Sequence, residues 1–447
     1  MSAKFQIKEL GKIFSFNLKH EDTDLKFSIG TDSRNIKNDQ VFLPLTGENF
    51  DGHDFINQVL EKNVKYAFCQ ETKLSKVKEE HKSRLIVVEN TLNAYHEIAH
   101  YYRRKLNPLV IAITGSSGKT STKDLVSSVL STKFKVHKTE SNFNNEIGVP
   151  KTILEMPDNT KILVLELAMR AKEEIKYLAK TAEPDIAVIT NVGTAHIGRL
   201  GSAKSIIQAK CELLECLKKD GLAILFNDSN LLQFSQEIWA GKIATYDLNQ
   251  VKNIEYKNEK SNFEIILNDE KVEKYSVNAL GKVHVLNSLC AILIARYLNL
   301  SSQEIQSGLS SYELPSGRGN VIKLSNSSYL IDESYNANPD SVKSSVRNLI
   351  ECWNGNFKKV LVLGELAELG EHKDNLLNDL SKWLADKPLS MVITVGDKLE
   401  QVINVKNVDD VNECCDILKK ILESSSVVLV KGSHAAKLNK VIECFKR

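Results

Sequence analysis

Short, continuously apolar runs alternate along the chain with longer stretches in which apolar residues recur every three or four positions. Continuous apolar runs are typical of strands that a sheet buries on both faces, and the longer spacing is typical of helices, as in Lys119–Leu130 and Leu286–Leu298. This alternation predicts an α/β fold with parallel sheets. The predicted strands are Val41–Leu45, Tyr66–Cys69, Leu85–Val88, Leu109–Ile113, Ile162–Leu167, Ile186–Thr190, Leu222–Phe226, Tyr329–Asp332, Val360–Leu363, Met391–Val395 and Val427–Val430.

The 447 residues of the chain predict more than one domain, because a single core rarely grows beyond about 250–300 residues. A helical stretch, Leu92–Leu106, ends just before Asn107-Pro108, which favours a boundary there. Further on, Phe263–Leu267 and Val272–Val277 flank Asn268-Asp269 and predict a hairpin. The predicted units are residues 1–107, 108–315 and 316–447.

Charge and cysteine content narrow the class of protein. The formal net charge is only +2, from 59 basic and 57 acidic residues, which argues against a general nucleic-acid binder. None of the eight cysteines forms a C-x-x-C pair, and a disulfide framework is not expected. Met1–Leu10 carries no apolar signal segment, and no run reaches the roughly 18 apolar residues of a membrane span. We therefore expect a cytoplasmic protein without a membrane span.

The sharpest local motif is Thr114–Thr120, T-G-S-S-G-K-T, between a predicted strand and a predicted helix. Glycines in such a loop let backbone N–H groups approach phosphate oxygens, and the helix N-terminus adds a positive dipole. Lys119 can reach the β- and γ-phosphates, and the Thr120 hydroxyl can bind Mg²⁺. The alternative, a Gly/Ser turn with a chance lysine, is disfavoured by the strand–loop–helix context. The predicted ATP contacts in the loop are Gly115, Ser116, Ser117, Gly118, Lys119 and Thr120.

Two polar residues follow predicted strands where ligands of open α/β sheets collect. Glu166 ends one strand, and its carboxylate suits Mg²⁺, which prefers oxygen ligands. His196 follows the next strand, and Lys210 lies in the helical run Ser202–Lys218. Each also has a plainer interpretation: a solvated glutamate, a structural histidine and a surface lysine.

These segments together resemble the Mur ligases of cell-wall synthesis over nearly the whole chain. Two positions depart from the pattern, because Glu173 stands where many members carry glycine and His434 where many carry arginine. The matching segments are Thr31–Arg34, Val41-Phe42, Asp51–His53, Thr114–Thr120, Asn142–Asn145, Gly148–Pro150, Glu166–Arg170, Asn191–His196, Gly201-Ser202, Ala209–Glu212, Gly281–His284 with Asn287, Gly317–Gly319, Leu330–Ser341, Gly364–Gly370 and Lys431–His434.

The resemblance implies three domains: one that binds a UDP-linked substrate, a central ATPase with a phosphate loop on a doubly wound parallel sheet, and a C-terminal ligase domain of dinucleotide-fold type. Tyr335–Pro339, Y-N-A-N-P, is similar to the members that add D-alanyl-D-alanine to UDP-N-acetylmuramoyl-tripeptide. Those members transfer the γ-phosphoryl of ATP to the tripeptide carboxylate, and the dipeptide amine then attacks the acyl phosphate. The C-terminal domain is expected to bind the dipeptide and to close over the nucleotide. A monomer is expected.

The resemblance also assigns roles residue by residue, with ATP and Mg²⁺ as the implied cofactors. Lys210 matches the lysine that is carbamylated in related ligases. Implied catalytic residues are Lys119, His196, Lys210 and Asn336. Implied ATP contacts beyond the loop are Asn287, Arg318, Asp332 and Tyr335. Implied substrate contacts are Ser33, Arg34, Asn142, Asn144, Asn145 and Asn338. Implied metal ligands are Thr120, Glu166, His196 and Lys210.

Two other functions stay open on the sequence. One is a related amide ligase of the folate polyglutamate or cyanophycin type, which the first-domain segment Asp32–Arg34 and Tyr335–Pro339 disfavour. The other is a non-catalytic protein that binds a nucleotide or a UDP-sugar. The residues that argue against it are the intact Lys119, Thr120, Glu166, His196 and Lys210.

Overall fold

A computed structural model describes residues 3–16, 24–257, 259–266, 272–324, 327–399, 401–402 and 404–446. These residues form four sheets. The predicted α/β fold with parallel sheets is confirmed. The boundaries after residues 107 and 315 stay predictions. In the described part of the chain, no helix is long and apolar enough to cross a membrane.

The first unit is a five-stranded sheet in the order β1-β2-β3-β4-β5, in which only β1 runs antiparallel. Its last helix, α3, is capped by the Asn90 side chain and ends before Asn107-Pro108, as predicted, with Asn107 in the left-handed conformation. The strands are β1 Phe5–Gln6, β2 Lys26–Gly30, β3 Gln40–Phe42, β4 Ala67–Gln70 and β5 Leu85–Val88. The helices are α1 Ile7–Leu10, α2 Ile56–Glu61 and α3 Thr91–Leu106.

The central unit is a six-stranded, fully parallel sheet in the order β11-β10-β9-β6-β8-β7. Its strands are β6 Leu109–Thr114, β7 Val136–Lys138, β8 Ile162–Glu166, β9 Ile186–Ile189, β10 Leu222–Phe226 and β11 Lys242–Tyr246. The helices between them are α4 Lys119–Leu130, α5 Gly148–Leu154, α6 Glu174–Ala182, α7 Ile197–Leu200, α8 Ala203–Glu215 and α9 Ser229–Ile238.

A three-stranded antiparallel sheet and two helices cover one face of the central sheet with an apolar core. The pairing of the last two strands confirms the predicted hairpin, whereas its turn, Asn268-Asp269, lies outside the described residues. The strands are β12 Val251–Lys257, β13 Lys260–Ile266 and β14 Val272–Val277. The helices are α10 Lys282–Tyr297 and α11 Ser302–Ser310.

The third unit is a six-stranded sheet in the order β15-β16-β20-β17-β18-β19, parallel except for β15, with an apolar core on each face. Cys415 and Cys444 form a disulfide, a single pair rather than the disulfide framework that the sequence disfavours. The strands are β15 Asn320–Lys323, β16 Tyr329–Glu333, β17 Lys358–Gly364, β18 Met391–Val395, β19 Val405–Val408 and β20 Ser426–Lys431. The helices are α12 Pro339–Cys352, α13 Lys373–Ala385, α14 Val411–Ile421 and α15 Asn439–Glu443.

The strand order of the central sheet locates its ligand crevice. After β6 the chain builds β7 and β8 on one side, and then crosses to build β9, β10 and β11 on the other. Ligands of open α/β sheets bind outside the carboxyl ends of the strands where the order reverses. The crevice therefore lies at the end of β6, where the phosphate-loop motif begins.

Candidate active site

The phosphate-loop motif forms the predicted turn between β6 and α4. Gly118 has φ +77°, a left-handed conformation that favours glycine. A Cβ at Gly115 would lie 1.9 Å from the Thr190 Oγ1, so only glycine permits this approach. Lys119 Nζ donates a hydrogen bond to the Gly115 carbonyl oxygen at 2.7 Å and folds back over the loop. Burial lowers the pKa of Lys119, an effect that the Glu166 carboxylate opposes.

Residues that follow β9 hold the phosphate loop in shape. The Thr190 hydroxyl donates to the Ser117 carbonyl oxygen at 2.6 Å. The Asn191 amide accepts from the Ser117 backbone N–H at 2.9 Å and donates to the Ser117 hydroxyl at 2.8 Å. The Gly193 backbone N–H donates to the Ser116 hydroxyl at 3.0 Å. This supporting role of Thr190 and Asn191 was not predicted from the sequence, in which only their position at the end of a buried strand hints at it.

Glu166 ends β8 and is buried at this carboxyl edge. One carboxylate oxygen accepts from the Asn144 side-chain amide at 2.8 Å, and the other is buried without a hydrogen-bond partner in the part of the chain that the structure describes. Within the described ranges, no group of three or more His, Cys, Asp or Glu side chains gathers for a metal. One unpaired carboxylate oxygen nevertheless fits Mg²⁺, which is commonly held by one or two carboxylates together with phosphates and water.

Lys210 lies on α8 and is almost completely buried, whereas a surface lysine was the plainer expectation. Burial and the nearby charge of Lys119 shift the pKa of Lys210 far below its ordinary value. No ion pair joins it to a carboxylate in the described part of the chain. A buried lysine without an acidic partner favours the neutral amine.

His196 lies at the contact between the central and third units. Its Nδ1 atom is 2.7 Å from Glu368 Oε2, and Arg199 Nε is 3.6 Å from Glu368 Oε1. The close approach of His196 lowers the pKa of Glu368. A histidine that binds a metal through one ring nitrogen usually donates its other N–H to a carboxylate. The pair therefore leaves His196 Nε2 as the ring nitrogen suited to a metal.

Two predicted nucleotide contacts lie close to the phosphate loop. A Cβ at Gly118 would lie 3.3 Å from the Asn287 side-chain oxygen, and the Asn287 amide nitrogen is buried with no partner within the described ranges. The Arg318 guanidinium stacks 4.2 Å from the centre of the Tyr335 ring. Burial is the largest effect on the pKa of Lys119 and lowers it, and the Glu166 carboxylate raises it. The charge of Arg318 lowers the pKa of Lys119 further, by less than either of these effects.

The predicted residues from β16 to α12 carry mostly local hydrogen bonds. Asp332 is buried and accepts from the backbone N–H and the hydroxyl of Ser334 at 3.1 and 2.6 Å. The Asn336 side-chain oxygen accepts from the next backbone N–H at 2.9 Å. Asn338 caps α12 by accepting from the Ser341 N–H at 2.8 Å, so one predicted substrate contact also begins a helix.

The remaining predicted substrate residues bond mainly within their own turns. Arg34 forms two side-chain hydrogen bonds with Asp32, at 2.9 and 3.0 Å, which lower the pKa of Asp32 to about 2. Ser33 is partly exposed beside them. Asn142 is exposed, and Asn145 accepts from the Gly148 backbone N–H at 2.9 Å. Asn144 is the exception, because it contacts Glu166.

Glu173 adopts the backbone conformation that glycine would favour, with φ +68°. Its N–H donates to the Glu212 carboxylate at 2.8 Å, and the Lys176 N–H donates to the other Glu212 oxygen at 3.2 Å. Glu212 lies on the Lys210 helix and so secures the start of α6. The departure from glycine therefore leaves the local backbone shape in place.

Three comparisons relate this geometry to known proteins. Family models match residues 28–103 (Mur ligase family, catalytic domain), 113–295 (Mur ligase middle domain) and 317–434 (Mur ligase, glutamate ligase domain). The UDP-N-acetylmuramoyl-tripeptide–D-alanyl-D-alanine ligase of Bacillus subtilis is 35% identical, over 98% of this chain and 96% of its own.

Two solved structures share the fold over nearly full length. MurF from Acinetobacter baumannii has a TM-score of 0.89 at 28% identity and covers 99% of this chain and 98% of its own. MurF ligase from Thermotoga maritima in complex with ADP has a TM-score of 0.85 at 26% identity, over 94% and 97%. With similarity along the whole chain and the phosphate-loop geometry at the crevice, the protein belongs to the Mur ligase family.

Proposed function

We propose that the protein is an ATP-dependent ligase that adds D-alanyl-D-alanine to UDP-N-acetylmuramoyl-tripeptide in peptidoglycan precursor synthesis. The observation that carries this is a contact between two units: the segment after β9, which is bonded to the phosphate loop, meets the start of α12, where the Thr194 N–H donates to Asp340 at 2.8 Å. The family similarity supports the reaction type, and the relatives' names support the substrates. A cytoplasmic location and a monomer remain predictions.

The chain's charges suit phosphoryl transfer to a carboxylate. Both reactants are anionic, so Lys119 must leave the Gly115 carbonyl and neutralise phosphate oxygens. Asn287 and the Arg318–Tyr335 stack suit the nucleotide. Closure of the third unit excludes water, which would otherwise hydrolyse the acyl phosphate before the dipeptide amine attacks it.

Glu166, Thr120 and His196 are the residues we assign to Mg²⁺. When bound, Mg²⁺ would neutralise charge on the transferring phosphoryl group. The unpaired, buried oxygen of Glu166 supports its assignment, and Glu368 orients the His196 ring.

Lys210 is proposed as a carbamylated ligand on the same side. Its lowered pKa favours the neutral amine, which can attack carbon dioxide. A nitrogen–carbon bond forms, one proton leaves, and an anionic carbamate replaces the neutral amine beside Lys119. The carbamate would supply an anionic oxygen ligand in addition to Glu166.

Phosphate release from ATP tests the function with UDP-N-acetylmuramoyl-tripeptide, with and without D-alanyl-D-alanine. We expect sustained release only with both substrates, and a product heavier than the tripeptide substrate by one dipeptide less one water. Release that needs a glutamate or aspartate acceptor instead would favour the related amide ligases. Nucleotide binding by folded protein without release under any of these conditions would favour a non-catalytic binding protein.

A further inference from the structure

We propose that Asp340 is a positioning residue that couples closure of the third unit to the geometry of the phosphate loop. Asp340 is the second residue of α12, on the side of the crevice opposite the central sheet. One carboxylate oxygen accepts from both the backbone N–H and the hydroxyl of Thr194, at 2.8 and 2.7 Å. The proposal rests on the ATP-dependent ligase function proposed above.

The central-unit side of this contact continues directly into the phosphate loop. The residue before Thr194, Gly193, donates its N–H to the Ser116 hydroxyl at 3.0 Å, and the Ser116 N–H donates to the Asn191 carbonyl oxygen at 3.2 Å. The segment from Asn191 to Thr194 is thus bonded to the loop at one end and to Asp340 at the other. A shift of α12 therefore reaches the loop through two hydrogen-bonded residues.

The close approach of Asp340 depends on glycine at position 193. A Cβ there would lie 2.9 Å from the Asp340 carboxylate and 3.7 Å from the Ser116 Cβ. The Asp340 carboxylate of the third unit and the phosphate loop of the central unit thus both pack against Gly193. Asp340 is exposed, so its removal leaves no cavity in a core, and a loss of activity would not reflect lost packing.

The test compares Asp340→Ala with Asp374→Ala. Both aspartates are the second residue of a helix in the third unit, and both are exposed, so both variants lose the same favourable interaction with a helix dipole. We expect equal melting temperatures, a fall in kcat on the order of tenfold for Asp340→Ala only, and a KM for ATP within about threefold of wild type. A raised KM with unchanged kcat, or equal kcat in the two variants, would overturn the proposal.

Variants of Thr194 change the same contact from the central unit. They keep the proposal testable if Asp340→Ala folds poorly. Thr194→Val removes the hydroxyl at nearly constant shape, and Thr194→Ser keeps it. We expect Thr194→Val to lower kcat and Thr194→Ser to keep the wild-type kcat. A double variant with Asp340→Asn should lose less than the product of the single losses, because both changes break one contact. Full additivity would contradict the coupling.

Small-angle scattering separates this proposal from the proposed function. With adenylyl imidodiphosphate and Mg²⁺, we expect a larger radius of gyration for Asp340→Ala than for wild type and Asp374→Ala, whichever acceptor the enzyme uses. Identical radii would overturn the coupling even in an active ligase. If dipeptide-dependent phosphate release fails in wild type while the radii differ, the substrate assignment fails and the closure contact stands.

Discussion

Polar side chains at the carboxyl edge of the central sheet differ in their hydrogen bonding from polar side chains in the charged turns of the first unit. At the central edge, Glu166 Oε2 and the Asn287 amide nitrogen are buried without partners among the described residues, and Lys210 is buried without an acid among them. In the first unit, Arg34 bonds Asp32, and the buried His53 bonds Asp51 at 2.7 Å.

The difference distinguishes polar groups that are suited to bind a ligand from polar groups that stabilise a turn. A buried polar group without a partner costs about 1–3 kcal/mol, and a bound nucleotide and metal would relieve that cost. Paired groups in the first unit gain less from a ligand, because the ligand must first compete with the existing bond. We therefore expect substitutions at the central edge to act mainly on catalysis, and those in the first-unit turns to act weakly.

The largest effect is expected for Lys119→Ala. Its ammonium group is the phosphate-loop cation, and removal of one well-placed electrostatic group costs roughly a hundredfold to a thousandfold in kcat. We expect at least that loss in dipeptide-dependent phosphate release, with an unchanged melting temperature. Lys133→Ala, at an exposed lysine just beyond the same helix, is the control. Wild-type turnover in Lys119→Ala would remove the phosphate loop from the mechanism.

A pH effect on stability is expected from His96, a fully paired histidine that joins α3 to the central unit. Its ring bonds the Thr181 hydroxyl at 2.6 Å and the Glu146 carbonyl oxygen at 2.7 Å, and burial lowers the pKa of His96 to about 4. Because the pKa of His96 is lower in the folded protein than in the unfolded chain, the unfolded chain binds a proton first as the pH falls. The resulting contribution to stability is complete above the unfolded-state pKa of 6.5 and is lost as the pH falls towards 4. The loss amounts to up to about 3 kcal/mol.

Urea unfolding between pH 7 and 4.5 measures this effect. We expect His96→Asn to flatten the pH dependence of the unfolding free energy. His100→Asn, one turn further along α3 and also in contact with Thr181, should keep the wild-type slope. An unchanged slope in His96→Asn would assign the acid sensitivity to other groups.

A smaller effect is expected on metal use. His196→Ala should raise the Mg²⁺ concentration for half-maximal activity by roughly 10-fold to 100-fold, and Glu368→Gln should act in the same direction by loosening the imidazole. Arg199→Ala, which removes a longer and more exposed contact with Glu368, is the control. Titration with Mg²⁺ at saturating ATP measures this, and an unaltered curve for His196→Ala would take that residue out of the metal site.

Continuous apolar patterns predicted the buried strands well. Leu85–Val88, Leu222–Phe226 and Met391–Val395 have the predicted bounds, and so does the helix Lys119–Leu130. Edge strands were missed, because β7 and β12 are half exposed and their polar residues interrupt the apolar pattern. A two-residue strand such as β1 leaves no periodicity to detect.

The site was predictable where a motif carries the chemistry and not where two distant segments meet. The sequence identifies Glu166 and His196 by their positions after strands. It does not predict that Glu368 pairs with His196 or that Asp340 bonds Thr194, because these contacts depend on how the third unit docks on the central one. The burial of Lys210 could not be predicted either, because Lys210 is one of several charged residues in its helical segment and nothing in the sequence distinguishes it from an exposed lysine.

The smallest effect is expected for Arg34→Ala, which tests the weaker side of the comparison. The predicted substrate role of Arg34 requires its guanidinium to exchange Asp32 for the UDP-linked substrate, and both side chains are solvent-accessible. We expect the melting temperature to match that of wild type, because exposed ion pairs contribute little to stability. Because the substrate gains only the difference between two similar bonds, its KM should rise by no more than about tenfold, with kcat unchanged. Asp32→Asn should lower that KM, since it frees the arginine, and Lys37→Ala serves as a neighbouring charge control. A hundredfold rise in KM for Arg34→Ala would mean that the turn opens readily for the substrate, and pairing in the free protein would then be a poor guide to which charges bind ligand.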